Sequence, residues 1–175
     1  MKMQKINFFG ATILMAMLFL ASCKKDPCKD VNCNNGSCLE GDCVCNLGYQ
    51  GTACDVKHNA KFVGTYAILE NCESTPDPQS YDITIAADPA SPSAIAITGL
   101  YFFPSTVTGT INADGISFSI ARQMVYFNPD IPRGSVRTVT DATSDSEGRS
   151  INVSYMYDEY NSTNVETCAG TWTKK

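Results

Sequence analysis

Residues 106–120 read Thr-Val-Thr-Gly-Thr-Ile-Asn-Ala-Asp-Gly-Ile-Ser-Phe-Ser-Ile, the clearest fold signal in the chain. Apolar and polar residues alternate on both sides of Asp114-Gly115, with the period of two that is typical of strands with one buried face. Asp-Gly between two alternating runs is a strong signal for a two-residue hairpin turn. The stretch therefore predicts two antiparallel strands joined by a tight turn.

Similar short runs recur towards both ends of the chain, separated by turn signals such as Pro76-Asp77-Pro78. The predicted strands cover residues 62–70, 81–87, 94–98, 106–112, 116–120, 124–127, 135–140, 151–157 and 166–173. Such a set of antiparallel strands closes as an up-and-down barrel or stacks as a sandwich. The sequence predicts a mainly β protein with an eight- or nine-stranded antiparallel β-barrel, and a β-sandwich is the alternative.

Two isolated cysteines favour the barrel. Cys72 follows the first predicted strand of this region, and Cys168 lies in the last one. In a meander these strands become neighbours only if the sheet closes, and a disulfide requires Cα atoms within about 7 Å. A Greek-key sandwich can also bring terminal strands together, so the pair favours closure without requiring it.

Six further cysteines crowd into residues 28–54 with the spacing C-x4-C-x4-C-x4-C-x-C-x8-C. A segment this short cannot bury enough apolar surface to fold unaided, so disulfides must take the place of a core. Disulfides require an oxidising compartment, which indicates export. The spacing does not suit zinc, and the preceding residues 24–27 supply one carboxylate, too few for calcium. We expect no metal site.

The six-cysteine spacing, together with Asn35-Gly36 and the stretch Gly48-Tyr49-Gln50-Gly51, resembles the EGF-like module. The resemblance places this module at residues 28–55. It implies three disulfides, which are Cys28–Cys38, Cys33–Cys43 and Cys45–Cys54.

The N-terminal sequence resembles a targeting signal. Lys2 and Lys5 precede an apolar run at 6–20 that is too short to cross a bilayer as a helix, which indicates a signal peptide over residues 1–22. Leu20-Ala21-Ser22-Cys23 resembles the lipobox of bacterial lipoproteins. The resemblance implies a diacylglycerol and a fatty acyl group such as palmitate on Cys23, with residues 23–27 as a lipidated tether. Lys24-Lys25-Asp26 resembles the signal that sends such lipoproteins to the surface of the outer membrane.

The larger region, residues 61–175, follows a linker at 56–60. It opens with Phe62-Val63-Gly64-Thr65-Tyr66 and closes with Cys168-Ala169-Gly170-Thr171-Trp172-Thr173-Lys174. These ends resemble small lipocalin-like domains of bacterial surface lipoproteins, although Tyr66 stands where lipocalins usually carry tryptophan. The resemblance implies a small antiparallel barrel.

Composition excludes several functions. The net charge is −5, and loss of residues 1–22 with their two lysines makes it −7, which disfavours nucleic acid and anionic membrane surfaces as partners. The single histidine, His58, leaves no Ser-His-Asp or Cys-His arrangement. The paired carboxylates Asp158-Glu159 precede a polar loop. We expect no enzyme, no catalytic residue and no cofactor.

Two aromatic stretches remain as candidate partner-binding sites. They comprise Tyr101, Phe102, Phe103, Tyr126 and Phe127. The competing interpretation is a plug at the barrel end. Tyr155, Tyr157 and Tyr160 fit either packing on a strand face or a platform for sugars.

The sequence predicts a membrane-anchored cell-envelope lipoprotein with a non-catalytic binding or structural display role and a protein or glycan partner. The alternative is a lipocalin-like carrier of a small apolar ligand, which needs an enclosed cavity.

Overall fold

The structure, a computed structural model, describes residues 25–128 and 130–175. These residues form short strands and two 3-10 helices, at His58–Phe62 and Leu100–Phe102. The strands are β1 Gly36–Leu39, β2 Asp42–Cys45, β3 Tyr49–Gln50, β4 Val56–Lys57, β5 Gly64–Cys72, β6 Gln79–Ala87, β7 Ala94–Thr98, β8 Thr106–Ile111, β9 Ser117–Ser119, β10 Gln123–Asn128, β11 Ile131–Thr138, β12 Ala142–Ser144, β13 Ser150–Glu159 and β14 Val165–Lys174. None of the helices in this described part is long and apolar enough to span a bilayer.

Eight strands close into an antiparallel barrel in the order β5-β6-β7-β8-β9-β12-β13-β14. The ring closes because β14 pairs with β13 on one side and with β5 on the other, where Cys168 lies opposite Cys72. The hairpin of β10 and β11 extends the wall beside β13. The predicted antiparallel barrel is therefore confirmed, and the chain does not form the alternative sandwich.

Each of the nine predicted strands overlaps an observed strand, and within residues 61–175 the short strand β12 is additional. The central hairpin differs in its turn. The Asn112 N–H donates to the Ser117 carbonyl oxygen at 2.9 Å, which leaves residues 113–116 as a four-residue loop. The Asp114 carboxylate accepts the backbone N–H of Ser117 at 2.9 Å, and Gly115 adopts φ 65°. The two-residue turn was a wrong prediction, because the Asp114 side chain stabilises a longer loop.

Large side chains fill the barrel interior. Inward-facing residues alternate with outward-facing ones along each strand, as the period of two predicts. The largest buried side chains, each at most 1% exposed, are Trp172, Tyr66, Tyr155, Phe62 and Phe118.

The barrel wall is irregular beside β8, where it faces strand β10 of the β10–β11 hairpin. β8 pairs with β9 at only two positions, and β10 is an edge strand that pairs with β11 and not with β8. The Gln123 side-chain amide bridges the gap by donating to the Thr108 carbonyl at 2.6 Å and accepting the Thr108 N–H at 2.9 Å. A side chain here replaces part of the strand ladder.

Residues 28–55, which we call the cysteine-rich segment, contain two small ladders, β1–β2 and the start of β3–β4. Three disulfides cross them. The bonded pairs are Cys28–Cys38, Cys33–Cys43 and Cys45–Cys54, the pairs that the EGF-like resemblance implies.

The cysteine-rich segment packs on one end of the barrel. The His58 N–H donates to the Gly48 carbonyl at 2.8 Å, and the buried Asn59 amide donates to the carbonyls of Ser91 and Ala94 at 2.9 and 3.1 Å. We call this the near end, with loops 88–93, 112–116 and 145–149. Because the strands run up and down, loops 73–78, 99–105 and 160–164 lie at the opposite, far end, together with the end of β10 and the start of β11.

Candidate binding site at the far end of the barrel

All five predicted partner-binding residues lie at the far end. Tyr101, Phe102 and Phe103 belong to the loop between β7 and β8, and Tyr126 and Phe127 lie near the end of β10. Phe102 is 60% exposed and Phe127 is 56% exposed, whereas the other three are half-buried or pack on neighbours. The structure thus gathers at one end two stretches that are separate in sequence.

The loop from Gly99 to Ser105 partly plugs the barrel. Leu100 is 1% exposed and joins the core, and Tyr101 and Phe103 pack against that core. Tyr101 and Phe102 both adopt the left-handed region, with φ 53° and 62°. Such a conformation costs a non-glycine residue about 1–2 kcal/mol, and it is maintained where the surroundings require it.

Aromatic rings fix the position of this loop. The Tyr101 ring stacks on Tyr157 of β13 with centroids 4.9 Å apart, and Phe103 lies 5.2 Å from the same ring. Phe102 packs on Tyr81 of β6 at 4.3 Å. The loop is therefore held against the inward faces of two strands on different sides of the barrel.

A cavity of about 580 Å³ opens beside Tyr101, at what we call the mouth of the barrel. Its lining residues are Ser74, Tyr101, Tyr157, Glu159, Thr163, Asn164, Val165 and Glu166. They come from three far-end connections and from the adjoining ends of β13 and β14. The mouth combines aromatic walls with two carboxylates.

Glu166 is the best-anchored carboxylate of the mouth. It accepts the Ser74 backbone N–H at 3.0 Å, the Ser74 hydroxyl, and the Tyr101 hydroxyl at 3.2 Å. Partial burial opposes ionisation of Glu166, but these hydrogen bonds outweigh it and lower its pKa. Burial and the neighbouring Glu166 raise the pKa of Tyr101 to about 12. At neutral pH the pair is a carboxylate and a neutral phenol.

Directly beneath the mouth lies a buried polar group. Glu70 is 0% exposed, and its Oε1 accepts the hydroxyls of Tyr155 at 2.7 Å and Tyr81 at 2.9 Å. Its Oε2 has no hydrogen-bond partner in the part of the chain that the structure describes. Burial raises the pKa of Glu70, and the two tyrosine hydrogen bonds offset this only in part. The Tyr101 backbone N–H donates to the Tyr81 hydroxyl at 3.0 Å, which connects the plug loop to this carboxyl.

A second, more apolar groove of about 380 Å³ lies where the wall is irregular. It is lined by Pro104, Ser105, Tyr126, Phe127 and Asn128. The Tyr126 N–H donates to the Ser105 hydroxyl at 3.1 Å, which holds the two stretches together. The Arg133 guanidinium lies 5.1 Å from the Phe127 ring centroid.

The remaining candidates lie elsewhere. Cys23 falls outside the described residues. Asp158 is engaged by Arg122 at 2.9 Å, whereas Glu159, the next residue of the same strand, lines the mouth. Neighbouring strand residues point to opposite faces, so these two carboxylates do not converge. Tyr155 lies in the core and Tyr160 on an exposed loop.

One group of metal-type side chains occurs among the described residues. Glu70, Cys72 and Cys168 have potential ligand atoms within 4.8 Å of one another. The two sulfur atoms are joined in a disulfide, however. A single carboxyl remains, and it does not make a metal centre.

Sequence reasoning missed Glu70 and Glu166 as site residues, and it considered Glu159 only as half of the carboxylate pair with Asp158. A signal for Glu70 was present, because it shares the inward phase of Tyr66 and Ile68 along β5. Glu166 has the same phase as Cys168 in β14. A charged residue at an inward-facing strand position whose neighbours on that face are apolar is therefore the signal that could have located the far-end site.

Comparisons with family models, with curated proteins and with solved structures found no match to this chain.

Proposed function

We propose that this protein is a lipid-anchored lipoprotein of the cell envelope whose barrel binds a protein or glycan partner through its far end, without catalysis. One observation carries the proposal. Two exposed phenylalanines lie at the barrel end opposite the cysteine-rich segment: Phe127 lines the apolar groove, and Phe102 follows Tyr101, which lines the mouth of the cavity. Exposed aromatic residues beside a cavity are typical of binding surfaces.

The anchor follows from the N-terminal sequence. Lipid on Cys23 would hold the chain to the outer membrane, and two or three acyl chains anchor a protein stably. The chain enters the barrel from the near end, next to the cysteine-rich segment. An anchor at residue 23 therefore leaves the far end free to point away from the membrane, and the tether Lys24-Lys25-Asp26 supports display on the cell surface.

The chemistry of the far end supports binding over catalysis. His58, the chain's one histidine, lies at the near end. At the mouth, Glu166 is held as a carboxylate by its hydrogen bonds, and Tyr101 stays protonated. General acid–base catalysis needs groups whose pKa lies near the working pH. These residues suit recognition.

A lipocalin-like carrier is the second candidate, because an eight-stranded antiparallel barrel is compatible with that fold. The interior of this barrel is filled by large side chains that include Trp172, Tyr66 and Phe118. A carried apolar ligand would therefore bind in the groove beside Tyr126 and Phe127, at the far end.

Protein and glycan arrays test the binding proposal. The probe is the exported chain with Cys23→Ser. Its affinity for any partner found is compared with the affinity of the same chain that also carries Phe102→Ser and Phe127→Ser. Loss of two exposed aromatic anchors should weaken binding by roughly tenfold or more. Leu69→Ser is the matched control, since Leu69 is 59% exposed on the outer face of β5. Equal loss in the control, or no loss in the aromatic variant, would overturn the proposal.

Metabolic labelling tests the anchor. The full chain should incorporate a palmitate analogue and fractionate with membranes, and Cys23→Ser should abolish both. Retained labelling in the Cys23→Ser chain would contradict lipidation at this residue.

A further inference from the structure

We propose that the mouth of the barrel binds a protonated amine of its partner. The amine would lie with the stacked rings of Tyr101 and Tyr157 on one side and the carboxylates of Glu159 and Glu166 on the other. The inference rests on the proposed function, since it names the ligand chemistry of the same far end. It makes the partner a molecule with an exposed ammonium group, such as a lysine side chain or an unacetylated amino sugar.

The mouth of the barrel is lined by negative charge. The described residues that line it include two glutamates and no lysine, arginine or histidine. Glu166 is held in place by Ser74 and Tyr101, so it need not reorganise to meet a cation. Glu159 is exposed at the rim, where its Oε2 accepts the Asn164 side-chain amide at 3.0 Å. A cavity lined by one sign of charge concentrates ligands of the opposite sign.

Aromatic rings form one wall of the mouth. Tyr101 and Tyr157 stack at 4.9 Å and both line the cavity. A cation within about 6 Å of an aromatic face is attracted by the electrons of the ring. The Tyr157 hydroxyl donates to the Arg133 carbonyl at 2.7 Å, which fixes the orientation of this ring.

A buried carboxyl lies behind the aromatic wall of the mouth. Beneath Tyr101 the fully buried Glu70, which does not itself line the mouth, has one oxygen, Oε2, without a hydrogen-bond partner among the described residues. A buried polar atom without a partner is destabilising, and such atoms call for a functional explanation. Glu70 also acts on Tyr101 through the Tyr81 hydroxyl, which ties this carboxyl to the wall of the mouth.

The mouth suits an organic ammonium better than a metal ion. Calcium takes six to eight oxygen ligands, and magnesium needs a nearly ideal octahedron. In the mouth, Glu166 already accepts hydrogen bonds from Ser74 and Tyr101, and tyrosine rings form much of the wall. A volume of about 580 Å³ also exceeds what a bare ion needs.

Paired probes isolate the charge of the amine. The exported chain with Cys23→Ser is titrated at neutral pH with a lysine-containing tripeptide blocked at both termini and with its Nε-acetyl-lysine form, and separately with glucosamine and N-acetylglucosamine. Chemical-shift changes at Tyr157, Glu159 and Glu166 report binding. In at least one pair the amine should bind at least about fivefold more tightly than its acetylated form, and binding should weaken with added salt. The pair that responds identifies the source of the amine.

Two variants test the residues. Glu159→Gln should weaken amine binding by roughly five- to tenfold, because it removes a charge while keeping an acceptor for Asn164. Glu73→Gln is the matched control, an exposed far-end glutamate that does not line the mouth. Tyr157→Leu should weaken binding by roughly threefold or more, whereas Tyr157→Phe, which keeps the ring, should bind nearly as the parent does.

Several outcomes would overturn the inference. They are equal binding of amine and acetylated probes in both pairs, no binding of either amine at millimolar concentration, and an equal effect of Glu73→Gln and Glu159→Gln. These results leave the far-end binding proposal standing if the array partner still depends on Phe102 and Phe127. Conversely, an array partner indifferent to the phenylalanines removes the proposed function, whatever the amine titration shows.

Discussion

The cysteine-rich segment and the barrel are stabilised by different means. Residues 28–55 bury almost no apolar side chain, and Leu39 and Leu47 are 63% and 71% exposed. Three disulfides with sequence separations of 9 or 10 residues hold this segment. The barrel instead encloses a continuous apolar core and has one disulfide, with a separation of 96 residues.

The difference shows how chain length decides the source of stability. A segment of about thirty residues cannot bury enough surface to offset its conformational entropy, so covalent bonds reduce that entropy in the unfolded state. A barrel of more than a hundred residues can bury enough. Its disulfide is an addition to the core, whereas the short disulfides replace one.

The largest effect should follow from removal of the three short disulfides. Replacing the six cysteines of residues 28–54 by serine should unfold this segment, since each bond contributes roughly 2–3 kcal/mol on the chain-entropy model. Amide hydrogen exchange should show protection lost over residues 28–57 and kept in β5–β8 and β13–β14. Protection that persists in β1 and β2 would contradict the claim that disulfides replace a core in the cysteine-rich segment.

Loss of the long disulfide should have the next largest effect. Cys72→Ala with Cys168→Ala should lower the free energy of unfolding of the barrel by about 4–5 kcal/mol, because the bond closes a long loop. The barrel should stay closed, since the β5–β14 ladder does not depend on sulfur. Guanidinium unfolding followed by Trp172 fluorescence measures the change. The pair Cys45→Ser with Cys54→Ser is the control and should leave this transition in place.

Truncation of the core should come third. Phe118 is 0% exposed and packs on Phe62 with ring centroids 5.6 Å apart. Phe118→Ala should cost about 3–5 kcal/mol in the barrel. The control, Leu47→Ala in the cysteine-rich segment, should change stability by less than about 0.5 kcal/mol. Comparable costs in the two variants, measured by denaturation, would contradict a core confined to the barrel.

The smallest effect concerns pH and the buried Glu70. Burial raises the pKa of Glu70 from its ordinary value of 4.5, so the folded barrel holds this proton more tightly than the unfolded chain does. Stability from this group is therefore complete below pH 4.5 and is lost as pH rises towards the folded-state pKa, by about 1.4 kcal/mol per pH unit within that window.

Glu70→Gln should remove this loss, so the variant should gain stability relative to the parent as pH rises above 4.5. Burial lowers the pKa of His58, so His58 changes the free energy of unfolding with the opposite sign, and stability is lost as pH falls below 6.5. This contribution is common to the parent and the variant, and it cancels in their difference. Denaturation curves from pH 4 upward check the prediction. A stability difference that does not vary with pH would contradict it.

Much of the fold could be predicted because it depends on local pattern. The period of two indicates the strands. Phe118 and Ile120, which the alternation places on one face, are both buried. The turn at Asp114-Gly115 was predicted less well, because hydrogen bonds of one carboxylate with the following backbone decide the loop length. The candidate site was predicted in part, through its aromatic residues.

The sequence by itself determined the cysteine pattern, the strand periodicity and the aromatic stretches, since each depends on residue type and near-neighbour spacing. Only the tertiary structure decided that Tyr101 stacks on Tyr157 and that Glu70 lies buried beneath them. These contacts join residues far apart in the chain, and barrel closure brings them to one end. The physical reason is that spacing fixes which face a side chain occupies, whereas register and closure fix what it meets there.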